Sequence, residues 1–309
     1  GMFTTMTNET WEYDRAANTW EMITPANPPA ARHSHAMTFG HSGSGDWVMT
    51  FGGASSMSAL GGTDTQDRYF PETETWLNFG GPRPGARYGH DFAYDSINER
   101  VILFGGYNGG LLDDTFALSG SWSELDPGTP PSPRMRHAMA FDSAHDKVIL
   151  FGGQRSTGES DQTYELDVST DVWTAADPVT RPPARQEATM VYDPIREVVV
   201  LFGGRAGDTV LNSTFEYDGT TWSPIAIANP PPGLGKMVYD ARYRRVILLA
   251  QPDSGSENQT WEYQATSSWP DEVCDAAGDE DSDGLVNCAD PDCEQLPCDG
   301  GTCGGGTCQ

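Results

Sequence analysis

Lysine is almost absent from this chain of 309 residues, which has only Lys147 and Lys236 and a formal net charge of −27 at pH 7. A surface this acidic repels phosphate groups, so nucleic acid and anionic membrane surfaces are not expected as partners. The chain also lacks any run of 18 apolar residues, so no membrane-inserted helix is predicted. Neither a sustained helical period nor a signal sequence is present.

Cysteine is missing from the first 273 residues and then occurs six times, at Cys274, Cys288, Cys293, Cys298, Cys303 and Cys308. Residues 271–309 contain no aromatic or basic residue but 11 acidic ones, which predicts two domains, 1–270 and 271–309. An even cysteine count in a small tail without a core indicates disulfides, with 15 possible pairings. Zinc is the alternative, but the C-x-x-C spacing that zinc sites use is missing. The tail therefore predicts a secreted or cell-surface protein.

An internal repeat organises the first domain. The hexapeptide VILFGG stands at residues 101–106 and again at 148–153, and the corresponding residues Phe51, Phe104, Phe151, Phe202 and Leu249 lie 53, 47, 51 and 47 residues apart. The same period separates Trp20, Trp76, Trp122, Trp173, Trp222 and Trp269. Each unit has four parts: a Pro-x-x-Arg segment that leads to an aromatic, the apolar run, a Thr-aromatic segment and the tryptophan segment. All four are rich in β-branched and aromatic residues, which predicts four antiparallel strands per unit.

Four strands repeated about every 50 residues are the signature of kelch repeats, and residues 8–269 resemble the kelch family of β-propellers. The resemblance implies an all-β fold in which sheets bury their faces against each other around an axis, with the glycine pairs at the crowded axis. Gly1 falls near a Gly-Gly position, so the chain is expected to begin inside a repeat. The expectation is six blades with an incomplete first blade and an open seam; the alternative is seven blades.

Galactose oxidase carries a similar kelch propeller, but its copper cofactor needs a cysteine cross-linked to tyrosine. This propeller has no cysteine, so no copper is expected. Asp218-Gly219-Thr220-Thr221-Trp222 is similar to the Asp box of sialidases but lacks its full spacing, and the sequence shows no common hydrolase or phosphate-binding motif. The sequence therefore favours a function other than catalysis.

The tail contains a candidate calcium loop, DEDSDGLVNCAD, at residues 279–290. Asp279, Asp281, Asp283, Leu285, Asn287 and Asp290 stand at positions 1, 3, 5, 7, 9 and 12, and Gly284 at position 6. Ca²⁺ prefers six to eight oxygen ligands on such a tight loop. The loop resembles EF-hand and dockerin loops and the Asp-rich calcium repeats of extracellular proteins, although Pro291 prevents an exit helix. The alternative is a solvated acidic linker.

The remaining candidate residues point to binding. In kelch-like rings the loops after Gly-Gly share one face, and here these loops vary while the strands repeat, as expected of a recognition surface. Tyr107, Arg155 and Arg205 are the candidate ligand contacts on these loops. Arg32, Arg87, Arg134 and Arg185 recur in the first strand segment and could present guanidinium groups to a ligand or bind groups of the next blade.

His35, His90 and His137 also recur at one repeat position, either as a metal ring or as repeat consensus. The sequence thus predicts an extracellular module that binds a protein or a glycan through one propeller face. The alternatives are a structural cell-surface or matrix module and an unrecognised hydrolase or lyase.

Overall fold

The computed structural model describes residues 6–15, 17–42, 45–56, 61–241, 243–251 and 258–263, together with three short strands at 297–298, 301–304 and 307–308. Trp269, the six candidate calcium ligands at 279–290 and Cys274, Cys288 and Cys293 lie outside these residues. The chain divides into two compact units: the first comprises Gly1–Met237 and Leu249–Trp261, and the second Val238–Leu248 and Glu262–Gln309. The predicted domain boundary at residue 270 stays a prediction. Among the described residues, no helix has the length and apolar character needed to cross a membrane.

The described chain is built almost entirely from short antiparallel strands. They run in chain order as β1 (Thr10–Asp14), β2 (Thr19–Ile23), β3 (Ala36–Ser42), β4 (Gly45–Phe51), β5 (Gln66–Phe70), the 3₁₀ helix Pro71–Thr73, β6 (Thr75–Asn78), β7 (Asp91–Asp95), β8 (Arg100–Tyr107), β9 (Leu111–Ser119) and β10 (Ser121–Glu124). They continue as β11 (Ala138–Asp142), β12 (Lys147–Phe151), β13 (Gln154–Arg155), β14 (Gly158–Glu159), β15 (Thr163–Asp167), β16 (Val172–Ala176), β17 (Thr189–Asp193), β18 (Val198–Phe202), β19 (Arg205–Ala206), β20 (Thr209–Val210), β21 (Thr214–Tyr217), β22 (Trp222–Ile225), β23 (Gly235–Asp240), β24 (Arg245–Ala250) and β25 (Gln259–Tyr263). Three tail strands follow: β26 (Pro297–Cys298), β27 (Gly301–Gly304) and β28 (Thr307–Cys308).

These strands form one sheet per sequence repeat. Sheet 1 is the pair β1–β2; the order is β3-β4-β5-β6 in sheet 2, β10-β9-β8-β7 in sheet 3, β11-β12-β15-β16 in sheet 4, β17-β18-β21-β22 in sheet 5 and β23-β24-β25 in sheet 6. Sheets 2 to 6 are blade-like, and the four complete ones have the predicted four antiparallel strands in chain order. The small hairpins β13–β14 and β19–β20 interrupt sheets 4 and 5 after the second strand.

Aspartates fix the turn between the first and second strands of a sheet. The Asp95 carboxylate accepts hydrogen bonds from the backbone N–H groups of Ile97 and Asn98, and Asp193 does the same for Ile195 and Arg196. A carboxylate that satisfies the N–H groups two and three residues later closes the turn locally. Each of these turns is therefore held by hydrogen bonds between residues that are close in sequence.

The core lies between neighbouring sheets of the first unit. Ile102 and Phe104 of sheet 3 share one apolar cluster with Met139 and Phe141 of sheet 4, whereas Val101 and Leu103 of sheet 3 pack with Phe51 of sheet 2. Sheets 4 and 5 share a third cluster in the same manner. The alternation explains why the second strand is apolar at every position: each of its two faces meets a different sheet.

Tryptophans of the fourth strands join neighbouring sheets at the outside. Trp76, Trp122, Trp173 and Trp222 are 1–7 % exposed, and each donates its Nε1–H to a side-chain oxygen at one equivalent position in the Thr-aromatic segment of the preceding sheet. The acceptors are Thr10, Gln66, Thr115 and Thr163, at 2.6–3.0 Å. Trp20 of sheet 1 makes the same bond, at 2.8 Å, to Thr260 at the start of β25. These bonds explain the regular spacing of threonine and tryptophan along the sequence.

Candidate functional site

The glycine pairs connect each sheet to the next one. Gly153 donates its backbone N–H to the carbonyl oxygen of Arg185, at 2.8 Å, and Gly106 donates to Arg134 at 2.9 Å. A Cβ on Gly152 would lie 2.7 Å from the same Arg185 oxygen, and Gly152 and Gly153 have φ of +74° and +91°. Only glycine permits both the close approach and the positive φ. The prediction that the glycine pairs sit where strands crowd together is confirmed.

The recurring arginines lie inside the propeller, not on its surface. Arg87, Arg134 and Arg185 are 0–2 % exposed, and each donates from Nη1 to the carbonyl oxygen of the first glycine of its own sheet. Those acceptors are Gly105, Gly152 and Gly203, at 2.9–3.0 Å. Arg32 is arranged similarly, with Asp67 as its carboxylate partner at 3.0 Å. Desolvation by burial lowers the pKa of both Arg134 and Arg185 to about 10.

This burial argues against direct ligand contact by Arg87, Arg134 and Arg185. It supports the alternative that these arginines bind other groups of the propeller, although not the groups that the sequence analysis expected. The sequence interpretation placed their partners on the next blade, but the partners belong to the same sheet. Arg87 binds the Asp114 carboxylate with both Nη atoms, at 2.6 and 2.8 Å, and Asp114 lies in β9 where its pairing with β8 is irregular. The guanidinium group thus joins three strands of one sheet at the end where the glycine pair lies.

The recurring histidines pack against the preceding sheet. The His90 and His137 rings meet Phe51 and Phe104 edge to face, with centroids 5.5 and 5.4 Å apart. Desolvation lowers the pKa of His137 to about 3 and that of His35 to about 4, and the pKa of His90 also falls well below its usual range. The described residues contain no group of three or more His, Cys, Asp or Glu side chains that could hold a metal ion. The three recurring histidines are therefore neutral side chains that pack in the interior.

Acid is therefore expected to destabilise the propeller through these rings. The unfolded chain binds a proton at His137 near the ordinary pKa of 6.5, but the folded chain does so only at about 3. The contribution is thus fully present above pH 6.5 and is lost as the pH falls toward 3, by up to about 1.4 kcal/mol per pH unit. His137→Ala, which mimics Ala188 at the same repeat position, should reduce that slope in urea unfolding between pH 4 and 7. His41→Ala, at an exposed imidazole, is the composition control; equal slopes for both variants would contradict the prediction.

Tyr107, Arg155 and Arg205 follow the glycine pairs, as the sequence shows, but they lie in short paired strands and not in the predicted loops. Tyr107 ends β8 and its ring packs at a tilt against that of Tyr88, with ring centroids 5.4 Å apart and two backbone hydrogen bonds between the residues. Arg155 lies in the hairpin β13–β14 and donates to Gln162 Oε1 at 3.3 Å. Arg205 lies in β19 and pairs through backbone hydrogen bonds with Gln186. Short paired segments hold all three residues in place.

A network of charged side chains surrounds Arg205. Glu187 lies between two arginines: Arg136 Nη1 is 3.0 Å from its Oε1 and Arg205 Nε is 3.2 Å from its Oε2. Gln186 accepts from Arg136 and donates to Glu159 Oε1, at 3.2 Å each. The side chains of Arg136, Glu187 and Arg205 are 31–37 % exposed, so the network is both held in place and accessible. We call the surface formed by Tyr88, Tyr107, Arg136, Glu187 and Arg205 the loop face.

Backbone hydrogen bonds hold the loop face together across four sheets. The N–H of Gly89 donates to Ser34 O, that of Arg136 to Gly89 O and that of Glu187 to Arg136 O, at 2.6–2.9 Å. These four residues occupy one repeat position, two after the recurring arginine. Arg136 and Glu187 have φ of 57° and 59°, a left-handed conformation that glycine adopts at Gly89. Each non-glycine residue there costs about 1 kcal/mol relative to glycine.

The comparisons with known proteins now identify the fold family. A family described as the KLHDC2/KLHL20/DRC7 Kelch-repeats domain matches residues 45–233 and 114–269, which together span more than half of the chain. The chain belongs to this kelch-repeat family. The comparison with curated proteins returns no match. The expectation of an all-β kelch propeller is thereby confirmed, and kelch propellers are in general protein-interaction modules.

Sequence reasoning missed Tyr88, Arg136 and Glu187 of the loop face, together with Gln186, which hydrogen-bonds to Arg136. They follow the recurring arginine directly, at two positions where the repeats otherwise have dissimilar residues, such as His33 and Met135 at the first and Ser34 and Gly89 at the second. The residue type varies from repeat to repeat at these two positions, whereas the arginine before them is constant. That variation is the signal in the sequence that could have identified these four residues.

Proposed function

We propose that this kelch propeller binds a protein partner through the loop face. The observation that carries the proposal is the Arg136–Glu187–Arg205 network, in which one carboxylate lies between two guanidinium groups that remain about one third exposed. Arginine and tyrosine are the residues that most often dominate binding energy at protein interfaces. The Tyr88–Tyr107 pair, whose rings pack at a tilt, supplies an aromatic surface on an adjoining sheet.

The left-handed backbone at Arg136 and Glu187 also favours a binding role. Glycine would fit this position with less strain, as Gly89 shows, yet the chain places two long charged side chains there. Local backbone strain of this kind clusters at sites of recognition. The strained backbone directs both side chains to the same surface, where they meet each other and Arg205.

A protein array and a glycan array test this proposal and separate the two ligand classes. The labelled propeller should bind at least one protein target, and Tyr107→Ala and Arg136→Ala should each weaken that binding about tenfold or more. Ile97→Ala, at an exposed turn residue between β7 and β8, is the control and should bind like the wild type. Binding that is confined to glycans, or that both loop-face variants leave unchanged, would contradict the proposal.

We also propose that the kelch ring has six positions and that sheet 1 occupies the outer half of one of them. The support is the Trp20–Thr260 hydrogen bond, which repeats the tryptophan bonds between the other neighbouring sheets. A seventh sheet between these two residues would separate them.

We propose that the protein is secreted or lies on the cell surface, because its tail is rich in cysteine. We also propose that the tail binds Ca²⁺ through Asp279, Asp281, Asp283, Leu285, Asn287 and Asp290. Disulfides are part of the first of these proposals: β27 pairs with β28 so that Cys303 stands directly opposite Cys308. Residues that face each other across antiparallel strands are about 4.5–5.5 Å apart at Cα, within the range that a disulfide spans.

We expect Ca²⁺ to bind with high affinity to the tail, and only when the tail cysteines are oxidised to disulfides. Calorimetric titration should show about one site per chain, and EGTA should lower the melting temperature of the tail transition. Asp281→Asn combined with Asp283→Asn should abolish the heat, whereas Asp292→Asn, outside the loop, should not. Titration without heat, or melting that EGTA does not change, would contradict calcium binding.

A further inference from the structure

Sheet 2 reverses a charge that most other sheets share. The third residue of the Thr-aromatic segment is Arg68 in sheet 2, whereas four other units have glutamate there, at Glu12, Glu165, Glu216 and Glu262. In sheet 4 a base of the second strand neutralises the glutamate, because Lys147 Nζ lies 2.5 Å from Glu165 Oε2. The residue of sheet 2 at the position of Lys147 is Trp47, four residues before the phenylalanine that ends the second strand. An aromatic ring and a cation thus replace the ion pair.

Arg68 lies against two aromatic rings and has no anion beside it. Its guanidinium carbon is 4.5 Å from the ring centroid of Trp47 and 5.0 Å from that of Phe79. In the part of the chain that the structure describes, Arg68 forms no ion pair and no hydrogen bond. Burial lowers the pKa of Arg68 by desolvation, but an arginine stays protonated. Its N–H donors are therefore available to a ligand.

Sheet 3 also lacks the group that meets this position elsewhere. Tyr69 donates its hydroxyl to Glu12 of the preceding sheet, at 2.5 Å, and Tyr217 donates to Glu165 in the same way, at 2.7 Å. Sheet 3 has Leu118 in place of that tyrosine. The junction of sheets 2 and 3 therefore has neither the acid nor the hydroxyl of this hydrogen bond.

A cavity of about 420 Å³ lies at this junction, at the strand ends opposite the glycine pairs. Its lining includes Trp47, Arg68 and Leu118, together with the exposed turn residues Ile97 and Glu99 before β8. A cavity of this size, with apolar walls and a few polar groups, is typical of sites for small molecules.

The walls of the cavity are held in place by neighbouring groups. The Tyr94 ring meets Trp47 edge to face, with centroids 5.7 Å apart, and its hydroxyl donates to the carbonyl oxygen of His41 at 2.6 Å. The Asp95 carboxylate accepts the backbone N–H of Ile97 and so fixes the turn. The cavity is thus formed without a ligand, which reduces the ordering cost of binding.

We propose that this cavity binds a small monocarboxylate with an apolar body. The planar guanidinium fork of Arg68 matches the two oxygens of a carboxylate, and Trp47 and Leu118 contact the apolar body. Arg68 is the one arginine or lysine among the described residues of the lining, and Glu99 has the same charge as the ligand. A phosphate dianion therefore fits less well than a carboxylate. The site is separate from the loop face, which lies at the other ends of the strands.

Benzoate is the probe, titrated into the full chain labelled with ¹⁵N. It should raise the melting temperature and shift the Nε1–H signal of Trp47, which is assigned with the variant Trp47→Phe. Benzamide, which has the shape of benzoate without its charge, should bind at least about tenfold more weakly. Acetate, which lacks the apolar body, and inorganic phosphate should show the same loss.

Arg68→Gln should weaken benzoate binding about tenfold or more, because it removes the guanidinium group. Arg181→Gln is the matched control and should bind like the wild type, since Arg181 pairs with Asp177 outside the cavity. Leu118→Tyr tests the cavity without altering Arg68. It introduces the tyrosine that other sheets have at this position, so the protein should fold and should lose benzoate binding.

Benzoate binding that Arg68→Gln and Leu118→Tyr both leave unchanged would overturn the proposal, as would equal binding of benzamide. The absence of any Trp47 shift at millimolar benzoate would also overturn it. Phosphate binding as tight as that of benzoate would show a general anion site and overturn the assignment to a carboxylate.

Discussion

Gly152→Ala is expected to destabilise the propeller by about 3–4 kcal/mol, through overpacking added to left-handed strain. The new Cβ would lie 2.7 Å from the carbonyl oxygen of Arg185, which is backbone of the next sheet and cannot move alone. The displaced carbonyl would also weaken the hydrogen bond that it accepts from Gly153. Urea unfolding followed by tryptophan fluorescence measures the loss.

Gly109→Ala is the matched control, because Gly109 has the same φ of +74° as Gly152 but no atom within 4 Å of the added Cβ. It isolates the backbone strain and should cost about 1 kcal/mol. If both variants lose the same stability, close packing between sheets is not what requires the glycine pairs, and the explanation given for them is wrong.

Phe141→Ala should cost about 3 kcal/mol of folding free energy, whereas Phe39→Ala should cost less than about 1. Phenylalanine stands at one repeat position in both cases, but Phe141 is 9 % exposed against sheet 3 and Phe39 is 56 % exposed. The difference follows from the neighbouring sheet alone, since residue type and strand position are the same. Chemical unfolding of the two variants under one condition measures it, and equal losses would mean that the face of β3 is covered in solution.

The repeat made most of the fold predictable from the sequence. Short strands, the doubly buried second strand and the glycine pairs all follow from local pattern and from the need to bury both faces of each sheet. The partners of Arg134 were not predictable in the same way, because Gly152 lies 18 residues away and pattern alone does not say which sheet supplies it.

The loop face was predictable only in part, for a geometric reason. Loop position identified Tyr107 and Arg205, but Glu187 contacts Arg205 because β18 returns the chain to the end where β17 begins. Arg136 reaches Glu187 from the neighbouring sheet. The repeat count predicted an open seam at the incomplete first blade, but the residue types alone did not mark the uncovered face of β3, since Met37 and Phe39 resemble their buried counterparts.

The hydrogen bond between each glycine pair and the following sheet has a consequence for how such proteins change over time. Both partners are main-chain atoms, so this bond is the same wherever a unit retains Gly-Gly and an accepting carbonyl. Duplication or exchange of a whole unit by recombination would leave this part of the junction unchanged. Side chains elsewhere in a unit can then diverge without altering it.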